Sequence, residues 1–193
     1  VLFSSNFADP VNGYQKYLDP DTFVDYHIMV EISKNVDGYG LSDYMFKPRN
    51  GRLQRGPVWD YNLAWGNADY GDGWLTDGWR YTGKLNPPSN DWNRGQYAWF
   101  KRLFEDDNFY FRYIDRWFQL RENLFKDENI LSRYDSYVAQ LQEAQQRNFT
   151  RWKVLGVTLW PNWFVGQTYQ EETDWLRNWI CERFKWIDSQ FPQ

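Results

Sequence analysis

Two aspartates bracket a short run of bulky residues in the first third of the chain. Asp37 follows a helical stretch in Val36-Asp37-Gly38-Tyr39, and Asp60 closes Gly56-Pro57-Val58-Trp59-Asp60. A pair of loop carboxylates can divide labour in two ways. One can accept a proton from an attacking hydroxyl while the other holds a divalent cation against an anionic group. Alternatively the two act as acid and base across a glycosidic bond, which requires a separation of roughly 5 to 9.5 Å. Other chemistry is largely excluded. The chain has a single histidine, His27, and a single cysteine, Cys181. That combination leaves no internal disulfide, no thiolate metal cluster and no Ser-His-Asp arrangement with a second histidine in reserve. Cys181 reads as a small buried hydrophobe and His27 as a packed or surface helix residue.

The elements that must carry these carboxylates can be read from local signals. Asp19-Pro20 is an N-cap followed by proline at the first helical position. Phe23, Tyr26, His27, Val30 and Lys34 then follow at helical spacing, predicting a helix that ends near Asn35. Residues 42–47 and 52–59 read as short extended runs joined by Pro48-Arg49-Asn50-Gly51, which predicts a hairpin with Asp37 before it and Asp60 after it. Residues 66–93 form a long run of Gly, Asp, Asn, Pro and Trp without periodicity. Its tryptophans Trp74, Trp79 and Trp92 predict an ordered, packed loop, and its aspartates do not match the spacing of an EF-hand.

The remainder predicts helices. One spans residues 96–104. A second is capped by Asp106 or Asp107, with Phe109, Tyr113, Trp117, Leu120 and Leu124 as its apolar stripe. A third spans 130–148 with Leu131, Tyr134, Val138 and Leu141 inward. The last is opened by the capping-box spacing of Thr168 and Glu171, runs to about Ser189, and carries Trp175, Trp179, Phe184 and Trp186. The expected fold is mainly α with a small β-hairpin, one domain over residues 1–193. It divides into a site segment (18–67), a long loop (68–95) and a helical bundle (96–190).

Composition narrows the partners. Aromatic residues make up 21% of the chain, with 13 Trp, and most fall at helical spacings, so core packing is the leading explanation and stacking on flat ligands the alternative. A net charge of −4 argues against a phosphate-backbone binder, hence no nucleic acid partner. No run is long and apolar enough for a membrane span. Val1-Leu2-Phe3-Ser4-Ser5 is not a signal peptide and no initiator methionine is present, so the chain is expected to be a mature product or a piece of something longer. Asn148-Phe149-Thr150 matches a glycosylation sequon, a pattern too short to carry weight.

Three stretches together carry a resemblance. They are Asp19-Pro20-Asp21-Thr22-Phe23-Val24-Asp25-Tyr26, Glu31-Ile32-Ser33-Lys34-Asn35-Val36-Asp37-Gly38-Tyr39, and Gly56-Pro57-Val58-Trp59-Asp60-Tyr61-Asn62-Leu63-Ala64-Trp65-Gly66-Asn67. With Trp99-Phe100-Lys101-Arg102-Leu103, Arg116-Trp117, Leu120-Arg121 and Arg183-Phe184-Lys185-Trp186-Ile187-Asp188, they resemble the CotH family, the spore-coat-protein-H-like atypical kinases, over nearly the whole chain. The resemblance implies the C-terminal lobe of a protein-kinase-like fold. It also implies transfer of the γ-phosphoryl of ATP to serine or threonine of a protein substrate, with Mg2+ or Mn2+.

By position, the resemblance gives Asp37 the catalytic-loop role and Asp60 the metal, with Asn62 as a second metal or phosphate ligand. Asn35 would shape the loop, and Trp59 and Trp65 would wall the site. A secreted or cell-envelope location is implied by the resemblance alone. The pattern departs from ordinary kinases: Ser42 stands where a metal-binding Asn is usual, and no His-Arg precedes Asp37. Only 36 residues precede Asp37, too few for a nucleotide-covering lobe, so an N-terminal lobe is expected to be missing from the chain and the piece alone inactive. The alternative is a non-catalytic module holding a glycan or a protein on the Trp-rich loop.

Overall fold

The computed structural model describes residues 1–81 and 94–191. Its elements in chain order are α1 (Pro20–Ser33), β1 (Met45–Phe46), β2 (Gln54–Arg55), α2 (Arg94–Leu103), α3 (Asp107–Arg121), α4 (Asp127–Arg151) and α5 (Tyr169–Asp188), preceded by a 3-10 turn at Tyr14–Lys16. The fold is mostly helical with one two-stranded antiparallel sheet.

The α1 helix is the axis of the domain. Its N-cap Asp19 accepts from the Asp21 amide, and Pro20 occupies the first turn. Buried residues lie on every side of it, including Phe23, Val24, His27, Ile28, Val30, Glu31 and Ile32, so the single stripe expected from the sequence is replaced by burial all round. It packs against α3, α5 and β2. Around it sit Phe100 and Leu103 of α2, Phe109, Tyr113 and Trp117 of α3, and Ile180, Phe184 and Ile187 of α5. Trp117 stacks on Phe184 at 5.8 Å, and its indole N–H donates to Asp188 at 2.9 Å, which satisfies the one polar atom that burial would strand.

Of the two expected caps, Asp106 opens α3, accepting from the Asn108 amide. Thr168 caps α5 by accepting from the Glu171 amide, while the Glu171 carboxylate accepts from Gln167 rather than from Thr168. The hairpin pairs Met45 with Arg55 and Phe46 with Gln54, shorter than expected because the chain beyond Arg55 turns away through Gly56, at φ +116°. Leu124 is 56% exposed, past the end of α3, so it drops out of the predicted stripe. The α4 helix is longer than predicted and, among the described residues, has no fully buried residue: Leu131, Tyr134 and Val138 are half-buried and Leu141 is exposed, with α5 its main packing neighbour. Cys181 is likewise half-buried, beside Ile130 and Leu131 of α4. Among the described residues no helix is long and apolar enough to cross a membrane. Trp92 and Asn86-Pro87-Pro88-Ser89 lie outside the described residues.

Candidate active site

The helix that carries the first loop ends at Lys34, whose left-handed conformation (φ 48°) turns the chain off the axis of α1. Its ammonium is not on the surface. It donates to the carbonyls of Leu75 and Asp77, and burial brings it down to about 8. The next residues are wound tightly. The Asn35 side chain accepts from the Asp37 amide at 3.1 Å, and the Asp37 carbonyl accepts from the amides of Gly40, Leu41 and Ser42, each at 3.1 Å. The Tyr26 hydroxyl reaches from α1 to donate to Gly38 and Ser42 carbonyls at 2.6 and 3.2 Å. Position 38 must be glycine, because a Cβ there would stand 2.7 Å from a Val30 methyl. Ser42, the position of the usual kinase Asn, is buried and spends its amide on this turn. Asp37 is therefore a half-buried side chain on a loop held at several points.

The hairpin that leads to Asp60 is clamped to the core by Asp43 and Arg55, both side chains fully buried and in hydrogen-bonding contact. The Arg55 guanidinium lies 4.8 Å from the Tyr26 ring centre, 5.1 Å from Phe100 and 5.2 Å from Phe23. One carboxylate partner and three aromatic rings offset the cost of taking this cation out of water. Beyond the clamp, Asp60 is exposed with φ 59°, a left-handed conformation that aspartate tolerates better than most side chains. Asn62 is exposed as well, and its carbonyl accepts from the Asn67 side chain at 2.8 Å. Trp59 is 58% exposed and meets Tyr44 edge-on at 6.2 Å. Trp65 turns inward, its ring edge-on to Trp179 at 6.3 Å.

The two loops meet electrostatically. Burial pushes the Asp37 carboxyl above the usual carboxylate range, the Arg80 guanidinium pulls it back, and the Asp60 charge pushes it up again. Burial and then the Asp37 charge raise the Tyr70 phenol, which places Tyr70 on the same side of the site. Asn62 adds an exposed amide oxygen on the Asp60 loop, whereas the side-chain oxygen of the buried Asn35 is spent on the Asp37 amide. A carboxylate and an amide oxygen two residues apart are hard donors suited to Mg2+ or Mn2+, which complete their shell with phosphate and water. Among the described residues no group of three or more His, Cys, Asp or Glu is gathered that could hold a metal ion.

Several residues behind the site escaped the sequence reading. Glu31, fully buried, accepts from the Tyr39 hydroxyl (2.9 Å), the amides of Arg80 (2.7 Å) and Tyr81 (2.8 Å), and the Arg183 guanidinium (3.3 Å). Arg183 also donates to the carbonyls of Glu31, Thr76 and Gly78 at 2.8 to 2.9 Å. Burial, the largest effect, raises the Glu31 carboxyl above its ordinary value, and Arg183 with the three other donors opposes that rise. His27 lies 3.7 Å from Glu31, too far for a hydrogen bond, and among the described residues neither ring nitrogen has a hydrogen-bond partner. Burial holds it neutral, well below its usual pKa. The available signal was a glutamate at i+4 from His27 on an otherwise apolar helix, which demands a buried cation somewhere in the chain.

Of the Trp-rich loop, Trp79 packs on Trp186 at 5.0 Å and Trp74 stacks on Trp163 at 4.4 Å. Both are half-buried. The most exposed indole of this region is instead Trp160, 80% exposed, beside Tyr70.

A helical lobe with a clamped hairpin between two loop aspartates is the architecture of a kinase-like family. The chain belongs to the CotH kinase protein family, which matches residues 3–187. No curated protein and no solved structure matches it.

Proposed function

We propose that this chain is the catalytic C-terminal lobe of an atypical protein kinase that moves the γ-phosphoryl of ATP to a serine or threonine of a protein substrate. The observation that supports the proposal is the tightly held Asp37 turn beside the clamped hairpin that leads to Asp60, with the Asp60 charge acting on the Asp37 carboxyl. Asp37 takes the proton as the substrate hydroxyl oxygen bonds to the γ-phosphorus and the bond to the β–γ bridging oxygen breaks, releasing ADP. Its half-burial supports that role, since a carboxylate that holds a proton more strongly than an exposed aspartate is the better base. Asp60 and Asn62 would hold a divalent cation, which when bound neutralises phosphate charge. Asn35 holds the Asp37 loop, and Trp59 forms part of the rim.

The test is transfer of labelled phosphate from ATP by the natural full-length protein with Mg2+ or Mn2+. Asp37→Ala is expected to lower the rate about 10²- to 10⁴-fold, the range for loss of a positioned base. Asp60→Ala should abolish the response to added metal. Transfer at the wild-type rate by either variant would refute the role given to that residue.

A further inference from the structure

Resting on the kinase reading, the geometry points to Arg80 as the positioning residue of Asp37: it arrives from within the long loop, 43 residues downstream, and grips the backbone of the catalytic turn. Its guanidinium donates to the Val36 carbonyl at 2.8 Å, one peptide before Asp37, and to the Gly71 carbonyl at 2.9 Å. Its own amide donates to Glu31 at 2.7 Å. Arg80 is 6% exposed, so these bonds form out of water and hold their geometry.

Three segments thus converge on one residue: the end of α1, where Glu31 accepts from the Arg80 backbone amide, and the Asp37 turn at Val36 and the loop after Asp60 at Gly71, both held by its guanidinium. Fixing the first and third of these sets where the second can lie. The same guanidinium is the positive charge that opposes burial at Asp37, while Asp60 and Tyr70 are the other titratable groups facing that carboxyl. Arg80 therefore governs both the place and the proton affinity of the base without touching substrate. This chain lacks a His-Arg pair ahead of Asp37, and here the arginine comes from downstream instead.

Arg80→Met and Arg80→Lys in the full-length protein test this. A misplaced base costs turnover more than nucleotide binding, so Arg80→Met should lower kcat about ten- to hundredfold with the KM for ATP within about twofold. Arg80→Lys, which restores the charge and one donor, should recover part of kcat. In a carbon-detected NMR titration of labelled aspartate, assigned through Asp37→Asn, the Asp37 carboxyl should titrate at higher pH in Arg80→Met than in wild type.

A folded Arg80→Met with wild-type kcat, or with an unmoved Asp37 titration, would overturn the assignment. So would kcat and KM worsening together with no recovery by lysine, which is the mark of a merely structural role. Should Arg80→Met not fold, a crystal structure of the wild type with a non-hydrolysable ATP analogue decides: the Arg80 bond to Val36 must persist there, and its loss overturns the proposal. The NMR readout needs no activity, so an inert Asp37 in the transfer assay would remove the kinase reading while leaving the grip of Arg80 on Asp37 measured.

Discussion

Replacing Arg183 by methionine removes the cation at the centre of the domain while keeping most of its length. The structure sets the scale of the loss. Glu31 would remain fully buried with the Tyr39, Arg80 and Tyr81 donors but no positive partner. Breaking a buried pair from one side costs about 3–5 kcal/mol. The carbonyls of Glu31, Thr76 and Gly78 would each lose a donor as well, at about 1 kcal/mol apiece where water cannot reach them. Because these losses share one site and do not add fully, about 4–6 kcal/mol is expected, a large part of the stability of an ordinary domain. In urea, with a slope of about 2–3 kcal/mol/M, the midpoint should fall by about 2 M.

The charge argument supplies two checks. Adding Glu31→Gln to Arg183→Met removes the stranded carboxylate and should recover about 1–3 kcal/mol. The deficit should also depend on pH. Without Arg183 the folded-state pKa of Glu31 rises further above its ordinary value, so the variant is least handicapped at acid pH and loses ground to wild type as pH rises through the folded pKa. A midpoint shift under about 0.5 M, or a double variant no better than the single, would refute the view that a charged pair holds α1 to α5.

Gly38→Ala should displace the catalytic turn, since its Cβ would overlap both Val30 methyls; a cost of about 1–3 kcal/mol and a lowered phosphate-transfer rate are expected. Val30→Ala in the same chain should restore transfer by making room, whatever it costs in melting temperature. His27 is held neutral in the fold, so its contribution is intact above about pH 6.5 and lost as pH falls below it. His27→Phe, placed among Tyr39, Tyr81, Phe100, Phe104 and Tyr113, should flatten the stability profile between pH 7 and 5, read by denaturation at each pH.

What the sequence made legible was local. Asp19-Pro20 announced α1, Thr168 announced α5, and the 3.6-residue spacing of Phe109, Tyr113 and Trp117 announced the buried face of α3. The motif around Asp37 and Asp60 marked both loops because the chain folds them within 25 residues of each other. Arg183 and Glu31 stand 152 residues apart, and Arg80 and Val36 44 apart, so their partnership exists only in three dimensions. Arg55 could have been matched to Asp43 once the hairpin register was known, since Arg55 pairs with Met45, two residues beyond Asp43. Periodicity misled at α4, where an apolar stripe with one neighbouring helix stays half in water.

That last feature divides the molecule thermodynamically. Among the described residues, the bonds that hold the Asp37 turn and the hairpin leading to Asp60 come from α1, the hairpin, α5 and the loop between Gly71 and Tyr81. Tyr134 donates to the Thr173 carbonyl and Arg177 pairs with Asp135, but the distal half of the helix has mostly solvent around it. Its amides should exchange with solvent through openings far cheaper than global unfolding, as a separate cooperative unit, while those of α1 exchange only when the whole domain opens. The chain can therefore accept sequence change along α4, or a partner laid against it, without disturbing the turn that holds Asp37.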